Sequence, residues 1–535
     1  MEQYLIANTL GYPILSTLVL LPLLGALVTL FLGGEKLLKS WGLVVTVATA
    51  VLSLPLYTAF DRGTALFQFA EVTHWFPFLD LSYVVGVDGI SVLLVLLTSL
   101  IMPLCVLCSW SYITERHKEF IFVILLMESA MIGVFVSLNM VLFFVFWEAM
   151  LVPMYLLIAV WGGERKDYAS IKFFLYTLLG SVFLLVSIAV LYIKCGTFFI
   201  PALMDQTFTF AFQMWIFLAF ALAFAIKIPM FPLHTWLPAA HVEAPVAGSV
   251  ILASILLKMG GYGFLRFCLP MAPAATLAAV PWLIGLSLVS IVVGGYLALG
   301  QSDIKKLIAY SSVGHMGFVT LGIFLLTSRG IEGAMLQMIN HGIVTGALFI
   351  LVGIIYERTH SREMEDNKAL GMLMPAYVTY LVIFSLASFG FPGTNSFVGE
   401  FLVLAATFAK SNVAGIFAIL GAILAAAYML RLVQKMVWAD SDGHAHHDDD
   451  DHGDDHGDEG HHKLWDLNMR ESLTLAFLLI FVFWIGLNPK PVLNIMDTSI
   501  THLLEQVEKG HEQLEHDRYG SGGHGAVAHA AEKKQ

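Results

Sequence analysis

Charge is scarce in this chain of 535 residues: Asp, Glu, Lys and Arg make up 13% of it, about half the share of a soluble domain. So little charge cannot coat a water-facing surface, which excludes a soluble enzyme, a nucleic-acid binder and a disordered scaffold. Cysteine is scarce as well. Cys105, Cys108, Cys195 and Cys268 all lie in or beside apolar runs. Cys105 and Cys108 form a C-x-x-C, yet one such pair cannot close a four-ligand site, and buried thiols behave as small hydrophobes. The chain also lacks a Gly-rich nucleotide fingerprint, a four-cysteine cluster and a haem-ligand arrangement. No cofactor and no metal site is therefore expected in it. Met1–Tyr12 has no basic start, and the apolar run from Pro13 continues as a full span, so a cleaved leader is not expected either.

What the chain does have is apolar length. Hydrophobic residues are 58% of it and the mean hydropathy is +0.79. A spanning helix needs about 20 mostly apolar residues. Such runs occur at about 13–33, 40–60, 91–110, 119–136, 140–161, 170–193, 211–231, 243–269, 277–299, 305–326, 331–355, 373–408, 413–437 and 472–488. They stay apolar for the length of a helix instead of alternating over about ten residues, which excludes a membrane β-barrel. The expected fold is an all-α polytopic membrane protein with about fourteen transmembrane helices.

Two of these runs are interrupted. The seventh ends in Lys227-Ile228-Pro229, and the twelfth contains Gly390-Phe391-Pro392-Gly393. Proline removes a backbone donor and clashes with the preceding turn, so helices 7 and 12 should be broken within the membrane. Broken helices five spans apart suggest two inverted five-helix repeats, an arrangement that places an ion path near the midplane. The chain then divides into a three-helix segment (1–110), two repeats (111–275 and 276–439), a His/Asp-rich loop (440–465), a last span with an amphipathic tail (466–515) and a tail expected to be disordered (516–535). Sixteen Lys and Arg fall in connections after odd-numbered spans and five in those after even-numbered spans. Positive charge marks the cytoplasmic side, so both termini are expected outside.

An ionisable group at bilayer depth costs at least about 2.5–3.5 kcal/mol, so each one needs a reason to be there. Glu148, Lys227, Lys258 and Glu400 lie deepest in apolar sequence, with Glu128, His315 and His341 on the fourth, tenth and eleventh spans. One explanation is that they pair only to hold helices together, although buried pairs are weak evidence for stability. The other is a proton path, for which Lys, Glu and His are suited because their environments can tune their protonation. Prolines 229, 232, 238 and 245 punctuate the chain after Lys227. Broken backbone at that depth needs water, so charge, break and hydration belong to one site.

The stretch Phe146-Trp147-Glu148-Ala149-Met150-Leu151-Val152-Pro153, the segment Lys227–Pro245 and Ile304-Lys305-Lys306-Leu307-Ile308-Ala309-Tyr310-Ser311-Ser312 with Gly314-His315-Met316-Gly317 resemble the antiporter-like membrane subunits of respiratory complex I. Glu400 on the twelfth helix is similar to the M branch of that family. The L and N branches, and the large subunits of multisubunit sodium/proton antiporters, typically carry Lys there. The resemblance implies a subunit of a proton-translocating NADH:quinone oxidoreductase in the inner membrane, with chains L and N as neighbours and electrons carried by other subunits. It also implies roles: Glu148 as partner of Lys227, Lys258 as the link between half-channels, His315 and His341 as a central axis, and Glu400 as the outer terminal group. A sodium/proton antiporter subunit and a non-pumping anchor are the alternatives; Glu400 and the short amphipathic stretch Leu493–Leu514 favour the first reading. Between Asp440 and His462, seven His and ten acidic residues occur without Lys or Arg, which accounts for most of the net charge of −12. Such a loop could bind Zn²⁺ or Ni²⁺, but it has no fixed ligand spacing and reads as solvated low-complexity chain.

Overall fold

Twelve helices of the computed structural model are long and apolar enough to cross a bilayer, from Glu35–Thr58 to Met469–Leu487. The model describes residues 2–76, 81–438 and 464–519. Two shorter apolar helices, Ile14–Thr29 and Pro375–Ser388, complete the first and twelfth spans, the twelfth resuming as Asn395–Lys410. Each of the fourteen expected runs therefore forms a helix or a broken pair of helices. The eighth span (Val246–Met271) and the eleventh (Ser328–Thr359) are buried along their whole apolar windows. Being apolar on every side, they suit the centre of a bundle. Small residues bring these two together: Ser254 Oγ donates to the Gly342 carbonyl at 2.7 Å, and a Cβ on Gly342 would stand 2.9 Å from the Ser254 carbonyl.

Both expected breaks are present. The seventh span, Phe210–Lys227, ends at Lys227, and the chain resumes helix at Trp236–Glu243. Trp236 Nε1 donates to the Ile226 carbonyl at 2.9 Å, satisfying an acceptor that the break leaves free. At the second break Gly390 and Gly393 adopt φ of +74° and +93°, a region that costs other residues strain. Gly390 has a second reason to be glycine, because a Cβ there would sit 3.0 Å from Glu400 Oε2.

Three features were not anticipated. Leu5–Ala7, Phe67–Phe76 and Leu81–Val87 form a small three-stranded sheet, the first pair parallel and the second antiparallel, at the end of the bundle where the even-numbered connections lie. The eighth span contains two π turns, Leu252–Leu256 and Phe264–Cys268, on either side of Lys258. The amphipathic tail is longer than expected: one helix runs Lys490–Tyr519, so residues 516–519 are helical. The rest of that tail and the His/Asp-rich loop from 440 to 463 lie outside the described residues. The closing helix packs Ile495, Met496, Ile500, Leu503 and Val507 inward. Ser499 Oγ accepts from Gly89 N–H at 3.0 Å, Thr498 donates to the Arg62 carbonyl at 2.6 Å, and Gly510 sits directly on Pro273.

Beside that helix Arg266 and Asp88 form a buried ion pair, Nη2 to Oδ1 2.6 Å. Asp88 Oδ1 also accepts from the backbone N–H groups of Ile90 and Ser91, which opens the third span. Removing one partner of a buried pair strands the other charge and costs about 3–5 kcal/mol. Arg266→Leu is expected to prevent assembly of the subunit into membranes, whereas Arg266→Leu with Asp88→Leu recovers much of it; immunoblots of membrane fractions give the comparison. Equal assembly for the single and double variants would refute the pairing as the source of the effect.

Candidate functional site

Four of the seven candidate residues join into one chain of side chains through the centre of the bundle. Lys258 is completely buried. Its Nζ donates to the Ala253 carbonyl, five residues earlier in the first π turn. A π turn loosens the regular helical ladder, which lets a carbonyl accept from a side chain instead. The same Nζ lies 2.7 Å from His341 Nδ1 on the eleventh span. The His341 ring meets the His315 ring edge to face, centroids 5.7 Å apart. His315 Nδ1 is 3.1 Å from Glu400 Oε1. Of the residues singled out from the sequence, the fold thus sets four in contact in the order Lys258, His341, His315, Glu400.

An ammonium only donates and a carboxylate only accepts: when Lys258 is charged His341 Nδ1 accepts from it, and when Glu400 is charged His315 Nδ1–H donates to it. Two residues that the sequence reading missed complete the Glu400 end. Gln337 Nε2 donates to the same Oε1 at 2.9 Å, and Tyr428 Oη lies 3.4 Å from His315 Nε2. Gln337 stands one helical turn before His341, so the spacing of four residues was the available signal.

Around the second break several buried polar atoms have no partner among the described residues: Gln337 Oε1, Asn340 Oδ1, both side-chain atoms of Asn395, Ser385 Oγ and His341 Nε2. Asn340 Nδ2 donates to the Asn395 carbonyl at 2.8 Å, so these groups share one neighbourhood. A cluster of buried polar groups thus adjoins Glu400 at the break.

The other three candidates stand apart from that chain. Lys227 is buried at the end of its helix, and its Nζ lies over the face of Trp147, 5.1 Å from the centroid. Glu148 supplies the opposite charge that acts on it. Among the described residues, however, Glu148 makes no ion pair with Lys227, and its Oε1 is buried without a partner. Cation–π attraction suits the indole of Trp147 to hold an ammonium there. Trp147 is fixed in turn by its Nε1, which donates to Ser181 Oγ at 3.1 Å. The end of the seventh span is brought close to Lys258 by Gly260, where a Cβ would sit 2.7 Å from Ile228 N and from the Phe224 carbonyl. Glu128 is fully buried with neither carboxylate oxygen bonded, and it does not reach the Lys258 chain.

His241 is a further residue that the sequence reading did not single out. It is fully buried, both ring nitrogens lack a partner, and its ring stacks on Phe349 at 4.5 Å.

The chain that holds this linked Lys, His, His and Glu is similar to known proteins over nearly its whole length. Residues 137–425 match the family described as NADH:quinone oxidoreductase/Mrp antiporter, TM, and residues 17–134 match NADH-ubiquinone oxidoreductase chain 4, amino terminus. NADH-ubiquinone oxidoreductase chain 4 of Arabidopsis thaliana is 42% identical over 494 residues, covering 92% of this chain and 97% of the relative. The chain belongs to the subunit M and chain 4 family of NADH:quinone oxidoreductases. NADH-quinone oxidoreductase subunit M of Rhodobacter capsulatus is also 42% identical, over 511 residues, covering 92% of this chain and 96% of that one. Among solved structures, a chain of respiratory complex I from Thermus thermophilus with bound NADH superposes with a TM-score of 0.81 at 31% identity, covering 92% of this chain and 99% of its own. The family extends over both halves of the bundle, so the two helix breaks and the linked side chains all lie within shared architecture.

Proposed function

We propose that this chain is the proton-translocating membrane subunit of a complex I-type NADH:quinone oxidoreductase, seated beside chains L and N. It lies in the bacterial inner membrane with its basic end toward the cytoplasm and both termini outside. The connected side chains from Lys258 to Glu400 carry this reading. A purely structural pairing needs contact between opposite charges, whereas here two imidazole rings stand between the Lys258 amino group and the Glu400 carboxyl group. Imidazole can take a proton on one nitrogen while releasing one from the other, so such a chain moves charge without moving side chains far.

A proton arriving at Lys258 makes the ammonium that donates to His341 Nδ1. Transfer onto His341, then across to His315 and onto Glu400, returns Lys258 to the amine and places the proton beside the second break. The amide oxygen of Asn340 and the side-chain amide of Asn395, without partners among the described residues, provide the polar surroundings through which it leaves. Lys227 and Glu148 stand on the other side of Lys258, where the approach of Glu148 to Lys227 alters the field at Lys258 and gates loading. The two inverted repeats, 111–275 and 276–439, each contribute one break in this scheme.

His341→Leu tests the reading, because it removes the link and keeps most of the volume. The purified complex, retaining its flavin and iron–sulfur subunits, is expected to lose at least about fivefold of proton pumping in reconstituted vesicles. Full pumping by this variant would show that the side-chain chain is structural, and a subunit that purifies without redox partners would remove it from complex I.

A further inference from the structure

A groove of about 910 Å³ runs along one flank of the bundle, between the second, third, eleventh and fourteenth spans. Its floor is buried and includes Leu97, Ile101, Ile339 and Ile343. Its rims, among them Val51 on one side and Leu473 and Ile480 on the other, are exposed, so the groove opens sideways toward the hydrocarbon. Along the third span the lining extends from Leu93 to Leu107. At about 1.5 Å per residue that is roughly 21 Å, most of the apolar depth of about 30 Å.

The groove changes character at the end where the even-numbered connections lie. Tyr57 and Trp484, both in its wall, meet there edge to face with centroids 6.5 Å apart, and such rings suit headgroup depth. The Arg62 guanidinium lies over Tyr57, 5.9 Å from the ring centroid. The closing helix holds its backbone in place, because the Arg62 carbonyl accepts from Thr498 Oγ1 at 2.6 Å. Asp61 is turned into its own loop, with Oδ1 accepting from the Gly63 N–H at 2.8 Å, and among the described residues Arg62 forms no ion pair. A guanidinium fixed at that depth complements a phosphate.

We propose that this groove is a binding site for an anionic phospholipid, with acyl chains along Leu97, Ile101 and Ile343 and the phosphate on Arg62. A helix of another subunit fits the groove less well. Closely docked membrane helices use Gly, Ala and Ser to bring their backbones together, whereas the third span presents Leu93, Leu96, Leu97, Leu100, Ile101 and Leu104. Water fits less well still, since so apolar a wall gives it few partners. Acyl chains need neither small residues nor hydrogen bonds, and they can follow an uneven wall of branched side chains. The site stands whether or not the chain moves protons.

The test uses the whole complex, delipidated and reconstituted into phosphatidylcholine vesicles with a trace of phosphatidylglycerol that carries a photoactivatable group on one acyl chain. Mapped label is expected to concentrate on the second, third and fourteenth spans, above the level on the helix Lys166–Cys195, which also exposes apolar residues such as Leu175 and Leu179. Arg62→Gln is expected to lower the groove label about fivefold, the effect of one basic residue at an anionic surface, and Arg62→Lys to restore most of it. Ala476 lines the groove and is half-buried, so Ala476→Trp fills it from the fourteenth span and is expected to remove most of the label. Flavin and iron–sulfur subunits should co-purify with every variant. Groove label no stronger than that on Lys166–Cys195, or unchanged by either Arg62→Gln or Ala476→Trp, overturns the site. So does a short thiol crosslink from Ala476→Cys to another subunit, which would put a partner helix in the groove.

Discussion

Vesicles carrying the complex with Glu400→Gln are expected to pump protons, and to reduce quinone in the coupled state, at less than about a tenth of the normal rate, at least about 1.4 kcal/mol of barrier. The amide keeps the shape of the carboxylate and still accepts from Gln337 and His315, which lie 2.9 and 3.1 Å from Oε1. It cannot take up a proton. The donor on His315 also loses its charged acceptor, and charge-assisted bonds are roughly twice as strong as neutral ones. Assembly should be unchanged, because the substituent is isosteric and Gly390 leaves the same space for it. Near-normal pumping with Glu400→Gln would take this residue off the path.

Glu148→Gln and Lys227→Met are each expected to cost about tenfold or more in coupled activity, and the double variant no more than the larger single loss. Groups that act as one unit show interaction energies of up to about 3 kcal/mol in such a cycle. The structure refines the reason for this coupling. Lys227 rests on the face of Trp147 and not on the carboxylate, so in the proposed scheme the coupled event is the making and breaking of the Glu148 contact. Trp147→Leu should then strengthen that contact and slow turnover without abolishing it. Multiplying losses in the double variant would separate the two residues into independent roles.

The fourteen spans were legible because each is a long apolar run, and the deep ionisable groups because charge inside such a run is costly. Their mutual order was not legible. Lys258 and His341 are 83 residues apart and His315 and Glu400 are 85 apart, and no local pattern encodes that they touch. Gln337 and Tyr428 escaped because neutral polar residues in a span carry little penalty and attract no suspicion. His241 was hidden among the prolines that drew attention to Lys227. The π turns flanking Lys258 leave no signature in hydropathy, since one inserted residue barely alters an apolar window. The small sheet was missed because Phe67–Phe76 lies in a connection, where aromatic and β-branched residues compete with the expectation of a polar loop.

The closing helix has a mechanical consequence. Thirty residues of helix make a rod about 45 Å long, and this one is fastened near its start to Gly89 and Arg62 and near its end to Pro273. It therefore works like the spine of a bound book. The early helices and the eighth and ninth are gripped at that end by one stiff rod, so these helices cannot change their separation there without carrying the rod with them.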